Sequence, residues 1–499
     1  MRKYLYGAAV QGIQGFIFQT NDLKHIVGAS ELVEQICTNA FEEFEVKSGG
    51  ESIVRAAGKI KYVFDDLEDC KKAFRNFPKK VMIMAPGITV SQAVVAYDDD
   101  SQFGRAIDDV ERILKTQRNK PPKSILTGLI GIKRTNNTGL PVVSVKNNNF
   151  YDDSTIKKEY NNNTYALCKK SFDNPRLSHK NVAYDIKDIT GKNDWIAIIH
   201  ADGNGLGKVI QKVGKNKNKY REFSHKLDEA TIAAAHAAYD HLKAANKISE
   251  GDDKVIPIRP VVLNGDDMTV IIRGELAIDY AKEFIKAFEK ETQDLLGTIL
   301  KDNKVFADGK DYLTACAGIA FIKSSYPFYY GYQLTEELCG QAKKDTKALA
   351  KEGGSEDNLP DSCLMFHKVQ DSFITDYDAI VERELTVSDD DDSHIPLFKA
   401  GPYYLTHHDG KFTIDKLEDF SRRLNGESGN GIKSGIRNWI SLRLEGKEKA
   451  EQRKMRMKQL FSEKDGLVIE ELTTQVNDKC IAYDVMAYHT IMNQETNNE

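Results

Sequence analysis

Three aspartates carry the chemistry this sequence could perform. The run WIAIIHADGNGLGKVIQ (Trp195 to Gln211) reads as a buried strand that ends at Asp202 and opens through glycines into a helix. Further along, PVVLNGDDMTVII (Pro260 to Ile272) reads as two apolar strands joined by a tight turn at Asn264 and Gly265, which exposes Asp266 and Asp267. Adjacent carboxylates in a central hairpin repel one another and gain nothing from burial, so a divalent cation is their natural partner. Two Mg²⁺ or Mn²⁺ ions held ~3.5 to 4 Å apart by Asp202, Asp266 and Asp267 could activate a hydroxyl and stabilise a pyrophosphate leaving group. An NGDD turn alone is more often an exposed hairpin tip, but an aspartate ending a buried strand shifts the balance to metal.

The residues around these acids suit a triphosphate. Backbone N–H groups of Gly203, Asn204, Gly205 and Gly207 could approach phosphate closely at a helix amino terminus. The GxGxG spacing, with no GKS or GKT after it, supports neither a dinucleotide fingerprint nor a P-loop. Lys343 and Lys347, one helical turn apart, are candidate phosphate ligands, although a solvated helix face accounts for them equally well. Lys208 meets either phosphate or solvent. His200 fits a hydrogen-bonded core residue better than a catalyst, and Tyr326, Phe328, Tyr329 and Tyr330 either stack on a base or fill the core.

The elements that must position these groups occur twice in the chain. AAVQGIQGFI (Ala8 to Ile17) aligns without gaps on HADGNGLGKV (His200 to Val209), so that Val10 meets Asp202 and Gly15 meets Gly207. IVRAAGKIKYVF (Ile53 to Phe64) lies on VVLNGDDMTVII (Val261 to Ile272), with Gly58 and Lys59 where the second copy has Asp266 and Asp267. TVSQAVVAY (Thr89 to Tyr97) matches LTACAGIAF (Leu313 to Phe321), and an amphipathic helical pattern follows each. Two further helical patterns, Arg221 to Lys247 and Leu276 to Leu300, flank the second hairpin. This order predicts α+β domains with helices covering one face of a sheet, and only the second copy keeps its acids.

The length of 499 residues allows two to four domains. We expect a first repeat over 1–144, a linker or insertion over 145–190, a second repeat over 191–351, and a mainly helical domain over 352–499. The Asn- and Lys-rich stretch Val145 to Tyr165 and the run SDDDDS (Ser388 to Ser393) read as surface loops. A net charge of -5 argues against duplex binding by bulk positive charge, yet Arg422 to Lys458 holds 11 Lys or Arg against 4 Glu, a candidate basic face. No apolar run approaches membrane-spanning length, and the amino terminus reads as a first strand, so a cytoplasmic protein is expected. The seven cysteines are scattered, with no CxxC pair, and are expected as buried reduced thiols.

DGNGLG (202–207) paired with NGDD (264–267), followed by LTACAGIAFIKSSYPF (313–328) and an AKK helix (342–344), resembles the second palm domain of the large, cyclase-like subunit of type III CRISPR effector complexes. Those palms are related to GGDEF and adenylyl cyclase domains. QGIQGFIFQTNDLKHIVGASELVEQI (Gln11 to Ile36) resembles the start of that subunit's first palm, and the resemblance covers most of residues 1 to 405. It implies two ferredoxin-like palms, the first degenerate, and conversion of ATP into cyclic oligoadenylates at two Mg²⁺ or Mn²⁺ ions. By position, Asp202 would be the first metal ligand with the Gly203 carbonyl nearby. Asp267 would be shared by both ions, Asp266 would be a second ligand or help deprotonate the 3′-hydroxyl, and Lys343 would bind triphosphate.

Departures from that family shape the remaining expectations. Asn264 stands where the family has the first glycine of GGDD, a mild change because Asn tolerates a left-handed turn. An HD nuclease domain and zinc-binding cysteines are missing, since the one HD pair, His408 and Asp409, sits in a carboxy-terminal loop. A shortened or stand-alone member is therefore expected, with ATP, RNA, CRISPR effector subunits or a second copy of the chain as partners and no membrane. Two other readings stand beside it: a cyclic-dinucleotide synthase, and a catalytically silent nucleotide- or RNA-binding scaffold using Arg422, Arg423, Lys433, Arg437, Arg453 and Lys454.

Overall fold

The apolar runs become the central strands of two antiparallel sheets, because each alternates between two packed faces. The computed structural model describes residues 2–46, 49–56, 58–119, 131–161, 165–190, 194–249, 251, 253–370, 376–388, 394–425 and 429–492. Residues 389–393 of the acidic run and 162–164 of the Asn-rich stretch lie outside them.

The first unit comprises β1 (Lys3–Gln11), α1 (Leu23–Cys37), β2 (Gly50–Ala56), β3 (Lys59–Phe64), α2 (Leu67–Met84), β4 (Thr89–Tyr97) and α3 (Phe103–Arg118), with sheet order β2-β3-β1-β4. Alternation along β1 divides its side chains. Leu5 and Ala9 pack with Phe103, Ile107 and Val110 of α3, whereas Tyr6, Ala8 and Val10 join the main core.

The stretch expected as a linker or insertion is folded. It holds a hairpin, β5 (Ser144–Lys146) and β6 (Asn149–Tyr151), and the helices α4 (Asp153–Asn161) and α5 (Ala166–Ser171). Its polar composition concealed two buried anchors. Lys158 donates to the carbonyl of Phe16 at 2.8 Å, and Asp152 accepts from Thr135 and Thr138 at 3.1 and 2.7 Å.

The second unit runs β7 (Trp195–Gly203), α6 (Leu206–Val213), α7 (Lys217–Ala244), β8 (Ile258–Asn264), β9 (Asp267–Arg273), α8 (Ala277–Asp302), β10 (Ala315–Lys323) and α9 (Phe328–Glu352). Its order β10-β7-β9-β8 repeats the first sheet, and β11 (Cys363–Lys368) adds a parallel strand beyond the expected boundary at 351. Both hairpins carry a bulge at the same repeat position, Ile53 in the first and Val261 in the second.

The gap-free alignment of the opening segments is one residue out of register. Left-handed Gly12 caps a short helix (Ile13–Ile17) directly after β1 as Gly205 caps α6 after β7, and the ladders pair Ala9 with Lys59 where they pair Asp202 with Asp267. Ala9, not Val10, therefore occupies the position of Asp202. A one-residue slip turns every side chain to the opposite face of the sheet. Glycines in both strand-to-helix loops made the shifted match look equally good.

Beyond the second sheet lie α10 (Ile414–Arg423), α11 (Gly429–Glu445), α12 (Lys447–Leu460), α13 (Glu463–Thr473) and α14 (Ala482–Met492), as the helical pattern predicted. Their basic residues are partly neutralised. Arg423 bonds Glu471 at 2.8 Å, and Lys454 and Lys458 reach Glu470 at 2.8 and 3.0 Å. Buried Asp484 accepts a 2.6 Å bond from Tyr403, and burial pushes its carboxyl up to about 7. The folded state thus favours neutral Asp484, a contribution present at acid pH and lost as pH rises through about 7. Asp484→Asn keeps an acceptor for Tyr403, so thermal unfolding at pH 8 should shift upward by a few degrees, and the gain should shrink as pH falls from about 7 toward the unfolded carboxylate range at about 4.

No helix among the described residues is long and apolar enough to cross a membrane. Among the cysteines whose side chains are described, all six are free and buried.

Candidate metal and nucleotide site

The ladder brings the acids of two distant motifs together. Asp202, near the end of β7, pairs in register with Asp267, the first residue of β9. The turn before it depends on Gly265, whose φ of 63° is open to glycine at little cost. Gly203 eases a close approach: a Cβ there would lie 3.0 Å from the Asp266 Cβ and 3.2 Å from its Oδ2. Asp266 accordingly comes up against the strand end and shares a hydrogen bond with Asp202.

His200 lies on the same face of β7, two residues before Asp202. One ligand atom from each of His200, Asp202 and Asp267 lies within 4.8 Å of the others. Its Nδ1 is 3.1 Å from the Thr269 hydroxyl, and its ring meets Tyr332 edge-on at 6.0 Å. The hydrogen-bonded core reading of His200 therefore captured its packing and missed its closeness to the acids. Strand alternation held that signal, since residues two apart share a face.

Charge at the site is unbalanced. Lys343 bonds Asp202 Oδ2 at 2.5 Å and the Gly203 carbonyl at 2.8 Å, the same two oxygens expected on a metal. Burial disfavours the charge on Asp202, yet the Lys343 ammonium holds its carboxyl below the usual range. Burial and the neighbouring Asp202 push Asp266 up to about 7. Burial first, then Asp266 and Asp202, raise Asp267 well above an ordinary carboxylate. Burial lowers His200 to about 4, leaving a neutral imidazole. Lys343 makes a salt bridge to Asp202 alone of the three acids. Carboxylate oxygens, a backbone carbonyl and excess negative charge fit a hard divalent ion.

The residues expected around phosphate divide into three groups. Lys343 faces the acids, whereas Lys347 turns to a cavity of about 380 Å³ that it shares with Gly205, Lys208 and Lys351. Lys208 also pairs with Asp357 at 3.3 Å. Gly207 sits in open space in the first turn of α6, where N–H groups lack intrahelical partners. Asn204 differs from expectation, because its N–H donates to the Thr314 carbonyl at 2.7 Å and its buried side chain bonds the Thr314 hydroxyl. Asn264 and Gly265 are likewise engaged within the protein, through Glu34 and Asp228. Of the aromatic cluster, Phe328 is core, Tyr326 packs against it, and Tyr329 and Tyr330 are exposed. His408 pairs with Asp361 at 3.4 Å, and Asp409 with His407.

The matching positions of the first unit are Ala9, Gly58 and Lys59, which offer no carboxylate. That unit nonetheless reaches the second. Phe18 stacks on Tyr332 at 4.3 Å, and Gln14 bonds Tyr332 and Glu336.

Residues 195–350 match the family model described as the second palm domain of Cas10/Cmr2. No curated protein matches the sequence. Among solved structures, a Csm1–Csm4 cassette in complex with cA4 superposes with a TM-score of 0.58 at 12% identity, covering 98% of this chain and 70% of that one. A Csm1–Csm4 cassette in complex with AMPPNP gives 0.57 at 12% identity, covering 99% and 70%. A Csm1–Csm4 subcomplex of the type III-A CRISPR-Csm interference complex gives 0.53 at 11% identity, covering 98% and 70%. At these identities the likeness is one of fold: two palms with a helical carboxy-terminal part.

Proposed function

We propose that this chain, whose residues 195–350 match the Cas10/Cmr2 second palm, is a metal-dependent nucleotidyltransferase that joins ATP into a cyclic oligonucleotide and releases pyrophosphate, as a subunit of a CRISPR-type defence complex. The observation that carries the reading is the pairing of Asp202 with Asp267, with Asp266 folded against Gly203, in a half-buried site with excess negative charge. Support also comes from the folds of similar shape that were solved with AMPPNP and cA4 beside a Csm4 partner.

Asp202, Asp267, Asp266 and the Gly203 carbonyl would hold two Mg²⁺ or Mn²⁺ ions. Bound there, the ions would acidify a 3′-hydroxyl and offset the charge of the departing pyrophosphate. Asp266, which lies against Gly203 at the strand end, would accept the hydroxyl proton at its carboxylate. Lys343 would leave Asp202 for the triphosphate as metal charge replaces its own. Gly205, Lys208 and Lys347, which line one cavity, would receive the outer phosphates, with Gly207 in the first turn of α6 beside them in sequence.

Incubation with each nucleoside triphosphate and Mn²⁺, with products resolved by mass, tests the reading. A cyclic adenylate of three or more units from ATP is expected. A cyclic dinucleotide would transfer the same site to the smaller product. Absence of any product, with target RNA and effector subunits supplied, would leave the nucleotide- or RNA-binding scaffold.

A further inference from the structure

We infer that the first palm, which lacks the paired aspartates, acts as a clamp on the catalytic turn of the second, with Glu34 as the positioning residue that holds Asn264. This rests on the reading of the second palm as the catalytic unit.

Glu34 lies on α1 of the first palm, and its Oε2 accepts a 2.9 Å bond from Asn264 Nδ2. Asn264 is 5% exposed, so an amide left without that acceptor would be stranded out of water. The same helix makes a second contact, as the Ser30 hydroxyl donates to the Val261 carbonyl at the β8 bulge. The clamp has an opposite jaw on α7, where Asp228 accepts the Gly265 N–H at 3.1 Å and the Thr231 hydroxyl donates to the Gly265 carbonyl at 2.5 Å. Lys170 of the intervening segment ties the jaws, 3.4 Å from Glu34 and 3.5 Å from Asp228.

Two helices from different parts of the chain thus grip the two residues preceding Asp266 and Asp267, and a third part ties the helices together. A glycine at 264 would have no side chain for the first palm to grip. Asn264 supplies one, which gives this chain a reason for departing from a double-glycine turn.

The test combines hydrogen exchange with kinetics on full-length Glu34→Ala, Glu34→Gln and Asn264→Gly. Removing a hydrogen bond to a charged group should speed amide exchange across 261–268 roughly tenfold in Glu34→Ala and Asn264→Gly, with exchange in β7 unchanged. With ATP as substrate, kcat should fall about ten- to a hundredfold while KM stays within about twofold, because misplaced carboxylates impair the reacting geometry more than binding. Glu34→Gln keeps an acceptor for Asn264 and should recover most of both readouts. Unchanged exchange across 261–268, or a Gln variant as impaired as Ala, would overturn the clamp. Exchange reports on the clamp even if the protein makes no product, so failure of the functional reading remains distinguishable.

Discussion

Asp267→Asn should reduce product formation by at least about a thousandfold and at the same time make the metal-free protein more stable. Both effects follow from one geometry. Asp267 sits beside Asp202 in the ladder and adjoins Asp266, and burial with these neighbours raises its pKa well above the ordinary carboxylate range. Without a divalent ion its charge is unfavourable, so a neutral amide of the same shape relieves the strain on the hairpin. With the ion absent, the gain should appear as a higher melting temperature in EDTA. Mn²⁺ should then reverse the ranking, because binding to the native state stabilises wild type and not the variant. An inactive variant with an unchanged melting temperature in EDTA would contradict the charge account while sparing the catalytic one.

Lys343→Met should have the opposite effect on the metal-free protein. Its ammonium bridges Asp202 and the Gly203 carbonyl, so removal leaves a half-buried carboxylate without its counter-charge. Breaking such a pair in full burial costs about 3–5 kcal/mol. Lys343 is 18% exposed and Asp202 33%, so solvent screening brings the expected loss to about 2 kcal/mol. Saturating Mn²⁺ should shrink that difference, since the ion supplies the missing charge. Activity should still fall about a hundredfold in kcat/KM, because no metal replaces the lysine on the triphosphate. If the stability gap between variant and wild type survives Mn²⁺ intact, the ammonium and the metal do not share the same oxygens.

Much of this arrangement was readable from residue types and spacing, and what was missed has physical causes. The duplicated strand and hairpin pattern, the acids of the second copy and the helical carboxy terminus follow from periodicity and turn chemistry. The register of the first segment did not, because a period of two makes a slip of one residue invisible in an apolar strand and decisive in the sheet. His200 was underestimated because its packing role and its nearness to the acids coexist on one face of β7. Asn204 and Asn264 illustrate a second limit. The Asn204 N–H and the Asn264 turn were expected at the nucleotide, but Thr314 and Glu34, 110 and 230 residues away, hold them instead. Such partners are set by tertiary packing and leave no local trace. The same holds for Arg423 and Lys454, whose charge looked available for RNA until α13 brought Glu471 and Glu470 against them.

The central claim is that Asp202, Asp266 and Asp267 together hold two divalent ions beside the triphosphate. Mn²⁺ titration followed by electron paramagnetic resonance, with a non-hydrolysable ATP analogue present, reads that directly. Two ions per chain in wild type, and at least one fewer in Asp267→Asn, is the predicted result. Equal Mn²⁺ binding by wild type and by a variant with all three aspartates changed to asparagine would contradict it.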